Sequence, residues 1–249
     1  MLTEPDFYIA AIALLSLVLS QLPPIQSLLS KERIEIYTQP KIALLHVAGN
    51  PNTFINLSVW NRGAKPIRIK SISMTIETES GKEIGLPLST FHHTATDDGE
   101  TFYRPISIQP DAEWTKFCNF ARNFPPDLEK RYRELIDDLE LEKLSHQFGN
   151  DSQNLFYASE ELTQRAIQFF DELFDWSVGS HSVKIRIETD KKDHFFSADF
   201  AIFESQFQRL SEFENYFRYG RGIGDDLALE HNLVWCPMKN TRLSTGRSK

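Results

Sequence analysis

Cysteine is almost missing from this chain: Cys118 and Cys236 are the two in 249 residues. That excludes a disulfide scaffold and any four-cysteine zinc site. Glycine and proline are modest, at 11 and 12 residues, so the chain is neither collagen-like nor low-complexity. Excess positive charge is lacking as well. With 27 basic against 35 acidic residues the net charge is −8, which argues against nucleic acid as a partner. Residues Met1–Asp6 carry Glu4 and Asp6 but no Lys or Arg, so a cleavable secretory signal lacks its positive n-region. No G-x-S-x-G nucleophile motif occurs. The neighbouring carboxylates Asp137-Asp138 and Asp225-Asp226 diverge in any regular element and do not face each other.

What the chain does have begins with a run of 24 uncharged residues, Phe7–Ser30. A bilayer core takes about 20 apolar helical residues. The dense part, Phe7–Leu22, is 16 residues long and is followed by Pro23-Pro24. Residues 1–30 therefore read as an uncleaved single-pass transmembrane anchor, contacting membrane lipid through residues 7–29. Lys31, Arg33, Lys41, Arg62 and Lys65 follow the span, which by the positive-inside rule puts the body at the cytoplasmic face of the inner membrane. The alternative is a body on the outer side. Two cysteines without an obvious pairing suit a reducing compartment, where the sequons at Asn56 and Asn150 have no meaning.

Beyond the anchor the hydrophobic period becomes two, the mark of half-buried strands. Strands are expected at Arg33–Thr38, Ile42–Val47, Thr53–Trp60, Pro66–Thr78, Thr101–Ile108 and Glu113–Phe120. A phase slip near Lys70-Ser71 predicts a β-bulge, and Asn61-Arg62-Gly63 predicts a turn. From Pro125 the pattern turns helical, with Leu128, Tyr132, Leu135, Leu139 and Leu144 on one face. A second helix is capped by Ser159, with Leu162, Ala166, Phe169, Phe170 and Leu173 on its apolar side. SVKIRIETD and HFFSADFAIF then form a hairpin, and a helix from Glu204 to Tyr219 carries Phe203, Phe207, Leu210, Phe213 and Phe217.

Short strands in two blocks resemble an immunoglobulin-like β-sandwich, and that is the expected fold class: mainly β with a helical insertion. The sandwich spans residues 31–203 with an acidic helical insertion at 124–176. A C-terminal helix and a basic tail, solvated from Met238 onward, make up 204–249. No motif names a family.

The charge is unevenly placed. Residues 124–176 hold 13 acidic and 5 basic residues, so the insertion alone carries the whole net charge of −8. Glu134, Asp137 and Glu140 on its first helix are accordingly the candidate contact residues for a basic protein partner. Arg218 and Arg221, in a stretch containing Gly220, Gly222 and Gly224, are candidate anion contacts; a helix lies upstream, so a C-cap is the simpler role of these glycines. His92, His93, Asp97 and Asp98 are the candidate metal ligands, weakened because neighbouring strand residues point to opposite faces. No cofactor is expected. The function these features support is a membrane-anchored, non-catalytic β-sandwich that binds or senses a protein or small ligand at the cytoplasmic membrane face. An oligomerising membrane effector of a bacterial stress or anti-phage response is the alternative, with self-association as its partnership, and a metal-dependent enzyme comes third.

Overall fold

The computed structural model describes residues 8, 12–17, 32–93, 99–148, 155–222 and 233–244. Its body is a closed barrel. Eleven strands form one sheet among the described residues: β1 (Ile34–Thr38), β2 (Lys41–Val47), β3 (Asn50–Asn61), β4 (Ile67–Thr78), β5 (Glu83–His92), β6 (Thr101–Phe102), β7 (Ile106–Ile108), β8 (Glu113–Ala121), β9 (Gly179–Thr189), β10 (Asp193–Ile202) and β11 (Val234–Ser244). Eight of them close the ring in the order β5-β8-β3-β2-β11-β10-β9-β4, and β4 pairs back onto β5 through Ser73↔Pro87 to Glu77↔Glu83. Every pairing is antiparallel. The short strands β1, β6 and β7 add to β3, β5 and β4.

This overturns the immunoglobulin-like sandwich. A sandwich keeps two sheets with free edges, whereas here β5 and β11 fill the gaps and leave no open edge in the ring. Neither strand stands out in the sequence, because each contains a proline, Pro87 or Pro237. Residues Met238–Ser244, expected as solvated tail, belong to β11. Barrels of eight strands are just wide enough for side chains to fill. Ile55, Leu57, Met74, Phe120, Ile185 and Phe196 accordingly share one core, all at most 2% exposed. Across the lumen the Thr53 hydroxyl donates to Met74 Sδ at 3.4 Å.

Local sequence sets the connections. β2 and β3 are joined by Ala48 and Gly49, both at positive φ (46° and 91°), as a tight primed turn requires. The Asn61-Arg62-Gly63 turn is held by a side chain: Asn61 Oδ1 accepts the Gly63 N–H, and Nδ2 donates to the carbonyls of Lys65 and Ile108. The expected bulge is present, as a register shift between β4 and β9 at Ile69/Ser71.

Among the described residues four helices follow β8 and β10: α1 (Pro126–Phe148), α2 (Glu160–Leu173), α3 (Glu204–Ser211) and α4 (Phe213–Arg218). The strand directions place them all at one end of the barrel, the end of the Ala48-Gly49 turn. α1, α2 and α4 share a core separate from the lumen, built from Leu135, Leu139, Ala166, Phe169, Phe213 and Phe217 around Ala48, whereas Leu210 of α3 packs with the barrel core. The single helix expected over 204–219 breaks at Glu212 into α3 and α4.

The transmembrane anchor is also not retained. No helix among the described residues is long and apolar enough to cross a membrane. Of residues 7–30 the structure describes Tyr8 and residues 12–17, which are helical, and the rest of the expected span lies outside the described residues. Length is the physical difficulty. Sixteen residues before Pro23-Pro24 make a helix of about 24 Å, short of a bilayer core of about 30 Å.

Candidate binding surface on the helical cap

Helix α1 is apolar on two opposite sides. Leu135 and Leu139 face the cap core, at 3% and 1% exposure. The opposite side begins with Glu134 and Asp137 and continues, at steps of three and four residues, through Leu141, Leu144 and Phe148. The last three are 62%, 48% and 82% exposed. Leu144, expected on the core face, thus points the other way. Leu155 and Tyr157, both exposed, lie in the segment that runs beside α1. Tyr157 packs against Tyr219 with ring centroids 5.2 Å apart.

Two features fix this surface to the cap. Ser159 caps α2 by accepting the Leu162 N–H, and its own N–H and hydroxyl donate to the Glu142 carboxylate of α1 at 2.8 and 2.6 Å. Gly220, at φ 70°, brings the turn after α4 against α1; a Cβ there would press on Lys143 Cε at 2.7 Å and on the Phe156 ring. Gly220 and Gly222, both at positive φ, therefore end α4 as a C-cap and close-contact turn.

The electrostatics are lopsided. All five basic residues of 124–176 are paired: Lys130 with Glu134, Arg131 with Glu172, Arg133 with Glu129, Lys143 with Glu140 and Arg165 with Asp138. Such exposed pairs are each worth at most about 1 kcal/mol. Asp127, Asp137, Glu161 and Asp171 have no ion pair among the described residues, so the surface stays acidic. Of the candidate contacts, Glu134, Asp137 and Glu140 all lie exposed on α1. Arg218 pairs with Glu214 at 3.2 Å, and its carbonyl accepts the Ala158 N–H. Arg221 follows in the exposed turn, with its N–H on the Tyr216 carbonyl.

His92 and His93 lie at the end of β5, on the barrel wall beside β8. His92 is buried against Phe54 and Phe117 on the outer wall, with Nε2 3.6 Å from Glu100. His93 is exposed, and its Nδ1 accepts from Lys116 Nζ at 2.8 Å. The two histidines are not brought together. Asp97 and Asp98 lie outside the described residues. Among the described residues no group of three His, Cys, Asp or Glu is placed to hold a metal. Cys118 and Cys236 are free and fully buried; burial pushes the Cys236 thiol up to about 12 and that of Cys118 higher still.

The sequence pattern passes over the exposed stripe because Leu141, Leu144 and Phe148 blend into a helix with leucines on both sides. Reading each leucine against the Leu135/Leu139 face is the signal that separates them.

Neither a protein-family model nor a curated protein matches the chain. One solved structure, a protein from Archaeoglobus fulgidus, is similar at 9% identity over 70% of this chain and 97% of that one, with a TM-score of 0.23. A likeness at that level carries no argument about fold or function.

Proposed function

We propose that the protein is a non-catalytic binding protein whose helical cap captures a basic, amphipathic segment of a partner protein. The observation behind this is the α1 stripe itself: Glu134 and Asp137 lead directly into exposed Leu141, Leu144 and Phe148 on one helix face. An amphipathic helix docks through apolar residues at such spacing. Basic residues on it would meet Glu134, Asp137 and Glu140, and the field of the cap would speed the encounter.

The test uses a short amphipathic peptide of leucine and lysine beside its leucine/glutamate counterpart, titrated by fluorescence anisotropy at low and moderate salt. The lysine peptide binds, more weakly as salt rises, and the glutamate peptide does not. Replacing Glu134, Asp137 and Glu140 by Lys weakens binding at least about tenfold, a change of about 1.4 kcal/mol. Replacing Leu141 and Phe148 by Ser does the same. Equal affinity for both peptides, or binding untouched by either set of changes, removes the proposal.

A further inference from the structure

We infer that the helical residues 12–17 insert into one leaflet of a lipid membrane, with the barrel end opposite the cap turned to the lipid surface. Ile12, Leu14, Leu15 and Leu17 are 65%, 64%, 63% and 60% exposed, and Ala13 and Ser16 are exposed as well. At about 100° per residue the four large side chains fall on every side of the helix, with Ala13 in the widest gap between them. A helix that docks on protein keeps one apolar stripe and a polar face opposite it. One that is apolar all round belongs in hydrocarbon. Length limits the depth: six helical residues rise about 9 Å, and one leaflet of the hydrocarbon core is about 15 Å thick.

The orientation follows from where the chain joins the barrel and from the charge at its two ends. β3 runs from the Ala48-Gly49 turn, beside the cap, to Asn61 at the far end, where Ile34 of β1 pairs with it. Glu32 is held at that far end, its Oε1 accepting from His194 Nε2 at 3.0 Å with both side chains buried. The chain beyond residues 12–17 therefore enters the body at the end away from the cap.

Exposed basic side chains stand at the same end: Arg68 in β4, Arg104 between β6 and β7, and Lys191 and Lys192 in the β9–β10 turn. None of the four has an ion pair among the described residues, since the neighbouring Asp190 and Asp193 go to Lys70 and Arg186. Anionic headgroups attract these four and repel the cap, whose residues 124–176 carry the net −8. The cap then faces away from the membrane, open to a basic partner segment.

The experiment is flotation of the full chain with vesicles of phosphatidylcholine alone and of phosphatidylcholine and phosphatidylglycerol in equal parts. The protein floats with both, more with the anionic vesicles, and salt removes that excess. Leu14→Asp with Leu15→Asp lowers binding to both at least about tenfold and leaves the melting temperature unchanged. Lys191→Glu with Lys192→Glu removes the anionic excess alone. Leu141→Ser with Phe148→Ser leaves flotation unchanged, which separates this contact from the capture of a basic segment by the cap. A cleavage site placed ahead of Met1 is cut by protease added outside sealed vesicles, as insertion into one leaflet requires. Its protection, no flotation with either vesicle, or flotation indifferent to Leu14→Asp with Leu15→Asp overturns the inference. So does a lipid-free oligomer that this double change dissociates, which would give the helix to a second copy.

Discussion

His46 Nε2 lies 2.8 Å from the carbonyl oxygen of Leu210, 164 positions further along the chain. On the other side of the ring the Gly49 N–H donates to Nδ1 at 3.1 Å, so Nε2 carries the proton and donates to Leu210. Phe170, Phe174 and Phe213 surround the imidazole edge-on, with ring centroids 5.1, 5.8 and 6.2 Å away. One neutral histidine thus ties the β2–β3 turn to α3 and to the aromatic core of the cap.

Burial lowers the His46 pKa from 6.5 to about 4, despite the opposing hydrogen bond to Leu210. The unfolded chain therefore binds a proton near pH 6.5 that the folded chain refuses until about pH 4. Stability from the neutral ring is fully present above pH 6.5 and is lost as pH falls toward 4, by about 3 kcal/mol in total. His181 and His194 are also lowered, mainly by burial, and act in the same direction. Urea unfolding at pH 7 and pH 5 should show the wild-type protein less stable at pH 5. His46→Gln should be weaker at pH 7 by about 1 kcal/mol yet lose less on acidification. An unchanged pH slope in the variant would show that His46 is not the titrating group.

The same turn makes a second prediction. Gly49 sits at φ 91°, and a Cβ there would collide with the Phe170 carbonyl oxygen of α2. Gly49→Ala should cost about 2–4 kcal/mol, combining a left-handed backbone with displacement of a helix end. Gly85→Ala is the natural contrast, since nothing lies within 4 Å of its Cβ position and its φ is not positive. That change should be neutral or stabilising by about 0.5 kcal/mol. Equal effects at the two positions would mean that the turn does not touch α2.

The pattern of the barrel wall was largely written in the sequence, and its closure was not. Ile55, Leu57 and Val59 alternate cleanly because β3 has one face in the lumen and one outside. The 179–202 hairpin is legible for the same reason, with Val183↔Ala198 and Ile185↔Phe196 paired as the alternation implies. Closure depends on β5 and β11. In β5, Ile84, Leu86 and Leu88 do alternate, but Gly85 and Pro87 on the outer side hide the strand. In β11, Val234, Cys236 and Met238 alternate around Pro237, and the basic residues beyond them look like tail. Both prolines fall on the outward face, so neither interrupts the packed lumen. The acidic residues of the cap were legible as a charge count. The outer stripe of Leu141, Leu144 and Phe148 was not, because it separates from the other leucines of α1 only once Leu135 and Leu139 are placed in the cap core.

The thiols test closure directly. Cys118 on β8 and Cys236 on β11 both belong to the lumen core, and burial keeps both protonated far above neutral pH. Neither should react with iodoacetamide at pH 8 in the native protein, and both should react in urea. Rapid native labelling of Cys236 alone would mean that β11 does not close the ring.

The last prediction concerns what the outer stripe of α1 does not do. Leu141, Leu144 and Phe148 bury little in the single chain, unlike Leu135 and Leu139 on the same helix. Replacing the three by Ser should therefore change unfolding stability by no more than about 0.5 kcal/mol each, as at any exposed site. Leu139→Ala should cost about 2–5 kcal/mol by opening a cavity in the cap core. The contrast separates a stripe kept for a partner from one kept for folding. Sedimentation equilibrium then identifies the partner class. A monomer whose stability ignores the triple change leaves the stripe free for a basic amphipathic segment. A dimer that the triple change dissociates would give the stripe to a second copy and displace the proposed capture.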